Sequence, residues 1–255
     1  MRNVITIYQK EIKSYFSSPI AYGLMGFFGL LSGYFFYLYV AIFVERGLQS
    51  QMTGRPQPMD MMEWVVRPIL MNVSVIGLFL IPMISMRLFA EEKRTGTIEL
   101  LATSPVRDLE IILGKWFAAL TLYGAMLALS AIDMLMLFAY GKPDWKPILV
   151  GYLGLLLQGG TLLAIGTFIS TTSRNQIIAG TATFAICLLL WVLDWVSAYN
   201  TEVWAKIVGY LSVVAHFEPF AKGVVDSKDV VFYISMIFLG LFLTARSLES
   251  LRWRS

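Results

Sequence analysis

The sequence predicts an all-α integral membrane protein with six transmembrane helices, an N-terminal interfacial helix and a re-entrant hairpin between the fifth and sixth spans. Of its 255 residues, 57% are hydrophobic and 15% are charged, and the mean hydropathy is +0.68. Soluble domains carry about 25% charged residues, so one core of this size could not bury so many apolar side chains. A bilayer core of about 30 Å needs about 20 apolar residues as a helix. Six stretches suit such spans: 20–44, 69–86, 111–139, 148–172, 177–196 and 230–245.

Composition also excludes several classes of site. The single cysteine, Cys187, excludes a disulfide framework and a cysteine-based metal cage. The single histidine, His216, excludes most histidine-dependent sites. A net charge of +3 without a basic cluster gives no indication of a nucleic-acid partner.

The N-terminal region, 1–18, is predicted to lie in the membrane surface. Apolar residues such as Val4, Tyr8 and Ile12 recur at helical spacing, while Lys10 occupies the other face. Pro19 is expected to end this helix and to turn the chain into the first span. The Lys and Arg residues favour the side of the two termini, which predicts that both termini are cytoplasmic.

The region 198–228, on the outer side, contains an apolar stretch that is too short to cross. Residues 204–217 number only 14 and are interrupted by Lys206 and Gly209, so a re-entrant or interfacial helical pair is predicted. We expect His216 in this region to make a local structural hydrogen bond. Asp133 and Asp194 lie near the ends of their spans, which favours interfacial or paired carboxylates over an ion path.

The inner loop at 90–105, between the second and third spans, is predicted to hold a short helix. Gly96 and Thr97 supply its start, Glu99 suits its first turn, and Ser104-Pro105 ends it after about two turns. The helix presents an apolar ridge that includes Leu101. It leaves three acidic groups for a basic or helix-terminal acceptor on another protein: Glu91, Glu92 and Glu99.

The run from Glu91 to Leu101, followed by Ser104-Pro105-Val106, resembles the coupling-helix signature of ABC-2 type permeases. These permeases are the membrane subunits of many ATP-binding-cassette exporters. The six spans, the surface helix and the re-entrant hairpin match the family as well, so the resemblance covers 1–255 as one transmembrane domain. The stretch 216–229 further resembles the branch associated with gliding motility and nitrous-oxide-reductase maturation.

The resemblance implies a multi-pass permease subunit of an exporter in the bacterial inner membrane, beside a second permease copy that is identical or paralogous. It implies that ATP and magnesium bind to separate nucleotide-binding subunits, and that this chain carries no cofactor and is not an enzyme. The sequence contains no G-x-x-x-x-G-K-[ST] phosphate loop, because Gly114-Lys115 is followed by Trp116. Mechanical work on an extracytoplasmic accessory protein, in place of export, stays open.

Aromatic and polar residues of two spans are candidates for a substrate path. Tyr34 and Phe35 lie in the first span, and Thr181 and Phe184 lie in the fifth. A six-span membrane enzyme is the alternative from another class. It is disfavoured because the only histidine, His216, lies outside the spans and neither H-E-x-x-H nor G-x-S-x-G occurs.

Overall fold

The computed structural model describes residues 2–52, 59–98, 106–141, 143–199 and 202–252, and it contains no strand within these ranges. A π-helical turn, Met62–Val66, leads into the third helix. The helices in chain order are α1 (Arg2–Ser17), α2 (Pro19–Met52), α3 (Arg67–Ser85), α4 (Ala90–Thr95), α5 (Asp108–Tyr140), α6 (Trp145–Thr172), α7 (Gln176–Tyr199), α8 (Val203–Gly209), α9 (Val213–Ala221) and α10 (Ser227–Arg252).

Within the described ranges, six helices are long and apolar enough to cross a membrane, which confirms the number of spans that the sequence predicts. These spans are formed by α2, α3, α5, α6, α7 and α10. The helices are longer than the apolar stretches. The 34 residues of α2, for example, extend for about 51 Å at 1.5 Å per residue, beyond the thickness of a hydrocarbon core.

The surface helix α1 ends where it was expected to end, because Ser18 alone separates it from α2, which begins at Pro19. We use inner for the end of the bundle that carries α1 and the end of α10, and outer for the opposite end, as labels only. One face of α1 packs on the inner end of α5. A Cβ added to Gly114 of α5 would lie 2.8 Å from Cγ2 of Ile7, so the missing side chain admits the close approach. Asn3 donates a hydrogen bond to Glu110 of α5 at 3.0 Å. The location of α1 at the membrane surface stays a prediction.

Helix α6 lies at the centre of the bundle and contacts α3, α5, α7, α9 and α10. Its glycines admit these neighbours: a Cβ at Gly159 would lie 2.1 Å from the ring of Tyr123, and one at Gly154 would lie 2.5 Å from Phe220. Helix α2 is the opposite case. It exposes large apolar side chains such as Leu30 and Tyr37, and a Cβ added at Gly26 would meet nothing within 4 Å.

The outer region between the fifth and sixth spans contains two short helices, α8 and α9, as the sequence predicts. Ser212 caps α9, and its hydroxyl accepts a hydrogen bond from the Ala215 amide at 3.3 Å. Phe217 and Phe220 are fully buried where α9 packs on the spans. The re-entrant placement of the pair in the membrane stays a prediction.

Candidate functional site

The inner segment that follows α3 is fixed to the neighbouring span by a buried serine. Helix α4 has no side-chain cap of its own. The amides of Phe89 and Ala90 instead donate to the hydroxyl of Ser170 in α6, both at 3.0 Å, and this hydroxyl donates to the carbonyl of Met86 at 3.2 Å. Amides in the first turn of a helix need such acceptors. Ser170 therefore holds the start of α4 against the inner end of α6.

The other end of α4 is tied to the same span. The Lys93 ammonium donates to the Thr171 carbonyl at the end of α6. The Thr171 hydroxyl in turn donates to the hydroxyl of Ser247 in α10 at 2.8 Å. These hydrogen bonds link the inner segment to two spans, α6 and α10.

Three buried charges join α1, α4 and α5, and we call Glu11, Glu92 and Lys115 the inner charge cluster. The Lys115 ammonium lies 2.9 Å from Glu11 and 2.8 Å from Glu92, and the ring of Phe89 lies 5.4 Å from it. The side chains of Lys115, Glu11 and Glu92 are only 3%, 14% and 13% exposed. With two carboxylates and one ammonium, the cluster carries one excess negative charge.

The expectation that Glu92 is available to a basic group on another protein is wrong, because its carboxylate pairs with Lys115 inside the chain. The physical reason is that Lys115 lies in an apolar span, where an ammonium is stable only when it is paired and hydrogen-bonded. Lys115 within the third span was the signal for this pairing. Glu91 pairs with Arg87 one turn earlier at 3.0 Å but stays 38% exposed.

Gly96 ends α4, and helical backbone resumes at Ile98 directly after Gly96 and Thr97, where the sequence predicts a helix start. The φ of Gly96, +74°, is left-handed, a conformation that favours glycine after a helix. Thr97 follows in an exposed turn, its hydroxyl 3.0 Å from that of Thr95. The other predicted residues of this segment lie outside the described residues: Glu99, Leu101, Ser104 and Pro105.

The residues predicted for a substrate path lie on α2 and α7, and α3 contacts both helices. Tyr34 is 59% exposed and meets Phe35 edge to face at 5.6 Å. Phe184 packs on Phe79 of α3 at 5.2 Å. Thr181 is exposed and bonds to the carbonyl of Ile177 in its own helix at 2.8 Å. A role of these residues in transport stays a prediction.

The outer side contains the carboxylates and the histidine that were considered from the sequence. Asp133 accepts a hydrogen bond from Ser32 of the first span at 3.2 Å. The local hydrogen bond expected of His216 is confirmed, since its Nδ1 lies 2.6 Å from Asp229. Sequence reasoning missed Asp229 as the partner. The described residues include no cluster of His, Cys, Asp or Glu that could hold a metal ion.

Two cavities lie at the outer ends of the spans and share Glu63 and Arg67 as lining residues, one of about 720 Å³ and one of about 580 Å³. Arg67 pairs with Glu218 at 2.7 Å, and Lys222 pairs with the same carboxylate at 2.9 Å. The hydrogen bond from Lys222 is the main cause that lowers the pKa of the Glu218 carboxyl, and the charges of Lys222 and Arg67 add to it.

Comparison with known proteins supports the resemblance seen in the sequence. The family model described as ABC-2 family transporter protein matches residues 5–220. The chain is also similar to the probable multidrug ABC transporter permease YbhR of Escherichia coli strain K12 and to that of Escherichia coli O157:H7, with 23% identity over 201 residues in each case. The matched region covers 72% of this chain and 53% of each relative, so the chain spans about half the length of these curated relatives.

Proposed function

Because the chain belongs to the ABC-2 family of transporter proteins, as a membrane subunit of an ABC transporter, we propose that it is the permease of an exporter whose ATP hydrolysis takes place in separate nucleotide-binding subunits. The observation that carries this proposal is the inner segment from Arg87 to Ile98. Phe89, Ala90 and Lys93 anchor it to α6, yet its turn at Gly96 and Thr97 is exposed. The exposed turn is the surface on which an ATPase subunit would rest.

The anchors of this segment make it suitable for transmitting movement. Ser170 ties it to α6, and the inner charge cluster ties it to α1 and α5. A force applied at Thr97 would therefore act on α1, α5 and α6 together. The spans would then shift between two packed arrangements, and ATP binding would favour one of them. Glu91 and Thr97 would contact the ATPase directly, whereas Glu92 and Gly96 would act through the shape of the segment.

The partner subunits supply the chemistry that this chain lacks. The sequence has no phosphate-binding loop, so ATP and magnesium would bind to the ATPase partner. A second permease copy, identical or paralogous, completes the unit. The apolar face that α2 exposes along its length supports contact with the lipid bilayer. The excess of Lys and Arg on the side of the termini supports cytoplasmic termini. The similarity to permeases of Escherichia coli supports a bacterial inner membrane.

Purification of the complex tests the proposal. The chain is purified from membranes with its ATPase subunit, and ATP hydrolysis and transport are measured for wild type, for Gly96→Val and for the control Gly26→Val. Valine at Gly96 must adopt a left-handed backbone that costs about 1–2 kcal/mol, whereas Gly26 lies in a helix with open space beside it.

We expect Gly96→Val to lower transport per ATP hydrolysed and Gly26→Val to leave it unchanged, with both variants retaining the wild-type elution volume. Purification without any nucleotide hydrolase, or an unchanged ratio of transport to hydrolysis in Gly96→Val, would contradict the proposal.

A further inference from the structure

His216, the only histidine of the chain, is buried between the outer helix α9 and the last span. It is 4% exposed, and Asp229 in the first turn of α10 is 1% exposed. Nδ1 of the ring lies 2.6 Å from Oδ1 of Asp229, and Nε2 lies 2.9 Å from the carbonyl oxygen of Tyr210. Both ring nitrogens therefore face an oxygen at hydrogen-bonding distance.

These two contacts determine how many protons the ring must carry. The Tyr210 carbonyl can only accept, and an ionised Asp229 can only accept. A neutral imidazole has one N–H, so one of its two contacts would bring lone pairs together. Asp229 lies in the first turn of α10, where the start of the helix favours the ionised carboxylate. An imidazolium ring, with two N–H groups, satisfies both contacts.

The surroundings of His216 also suit a cation. The ring of Phe232 stacks on the imidazole with centroids 3.8 Å apart, and Tyr210 meets its edge at 4.8 Å. The hydroxyl of Tyr233 donates to the carbonyl of Val213 at 2.7 Å, which binds the start of α9 to α10 beside the ion pair.

Other titratable groups near the pair have partners of their own. Lys228, next to Asp229, pairs with Asp226 at 3.0 Å. Arg67, Glu218 and Lys222 form a separate network on α3 and α9. Further charged residues on helices packed against α9 are Lys146 and Asp194.

We propose that His216 is held as an imidazolium ion and that its pair with Asp229 is a proton-dependent latch that fastens the outer helix α9 to the last span. When the ring loses a proton, the buried Asp229 carboxylate loses its counter-ion. Its second oxygen, Oδ2, is already buried without a hydrogen-bond partner among the described residues, and the remaining nearby cation is the exposed Lys228, which is shared with Asp226. The latch is therefore closed at neutral pH and opens as the pH rises.

The single histidine makes the protonation state directly measurable. The full chain, carrying a purification tag without histidine, is labelled with ¹⁵N-histidine and placed in nanodiscs. We expect one imidazole whose two nitrogens both show a one-bond N–H coupling at about pH 7.5, where an exposed imidazole is mostly neutral. A ring with only one protonated nitrogen in the wild-type chain would overturn the proposal.

Two variants separate the latch from a general effect of charge. Asp229→Asn removes the ionised partner, and its ring should carry one proton at about pH 7.5, as a free imidazole does. Asp226→Asn is the matched control, because its carboxylate is exposed and pairs with Lys228, and its spectrum should equal that of the wild type. A doubly protonated ring in Asp229→Asn would show that Asp229 does not hold the proton.

Opening of the latch is measured on the wild-type His216–Asp229 pair. In a Cys187→Ala background, Ala221→Cys reports the buried end of α9, and Val225→Cys provides an exposed reference. The same ratio of maleimide labelling rates is measured in Asp229→Asn, whose latch is open at every pH, so the titration of the buried thiol affects both chains alike. We expect the wild-type ratio to lie at least tenfold below that of Asp229→Asn at about pH 7 and to approach it as the pH rises. Equal ratios in the two chains at about pH 7 would contradict the latch.

Discussion

Removal of Lys115 is the perturbation for which the structure gives the sharpest expectation. Lys115 lies 2.9 Å and 2.8 Å from two largely buried carboxylates, so Lys115→Met leaves Glu92 without a counter-ion and Glu11 with only the exposed Lys10 at 4.0 Å. Breaking a buried ion pair by removing one partner costs about 3–5 kcal/mol. For a chain of this size that corresponds to a fall in Tm on the order of 6–20 °C.

The excess negative charge makes the cluster asymmetric, which provides the control. Glu92→Gln removes one of two like charges, retains an acceptor for Lys115, and leaves a neutral pair with Glu11. We expect it to change stability by no more than about 1 kcal/mol. The double variant Lys115→Met/Glu92→Gln, which retains Glu11 as its one carboxylate beside the exposed Lys10, should be more stable than Lys115→Met alone.

The assay is thermal unfolding of the purified chain, followed by fluorescence-detected size exclusion. Equal Tm values for Lys115→Met and Glu92→Gln would refute the buried cluster, because an exposed triad would tolerate both changes equally. The same variants, assembled with the ATPase subunit, should lower transport in the order of their destabilisation. Wild-type transport in Lys115→Met would show that the cluster does not position the inner segment.

Three further predictions follow from other contacts. Ser170→Ala removes the acceptor of the Phe89 and Ala90 amides at the start of α4 and should lower the free energy of unfolding by about 1–3 kcal/mol. Amide hydrogen exchange should become faster at the start of α4 only. Exchange at the wild-type rate there would contradict this cap. Gly159→Ala places a Cβ 2.1 Å from the Tyr123 ring and should cost about 1–3 kcal/mol in melting experiments, whereas Gly26→Ala should cost nothing. The lowered pKa of Glu218 means that its ion pairs contribute fully to stability above the ordinary carboxyl pKa of 4.5 and lose that contribution as the pH falls through the lower folded pKa. The difference in Tm between wild type and Glu218→Gln should therefore be constant above about pH 4.5 and shrink as the pH is lowered further. A difference that does not change with pH would contradict the pairing.

The spans were predictable because their cause is local. An apolar stretch near 20 residues has only one stable arrangement in lipid, whatever its neighbours are. The break between α1 and α2 was predictable for a similar reason, since Pro19 restricts the residue before it. The paired outer helices α8 and α9 follow from an apolar stretch too short to cross.

The side-chain partners were not predictable because they depend on how the helices converge. From its own segment alone, Glu92 is expected to be an exposed acidic residue. It contacts Lys115 only because α1, α4 and α5 pack together. From the sequence alone, Asp229 is expected to be an acidic residue in the first turn of a helix. Its contact with His216 depends on the packing of α9 against α10. Gly96 was predicted to supply a helix start, but its role in ending the preceding helix α4 depends on its left-handed φ, which the sequence alone does not give.

Site-specific photo-crosslinking in intact membranes tests the central claim most directly. A photoreactive amino acid is placed at Thr97, in the exposed turn of the inner segment, and as a control at Asp226, before the last span on the outer side. Crosslinked products are identified by mass spectrometry. We predict that Thr97 crosslinks to a subunit bearing a G-x-x-x-x-G-K-[ST] loop and that Asp226 does not. Crosslinking of that subunit from Asp226, or from neither position, would contradict the account.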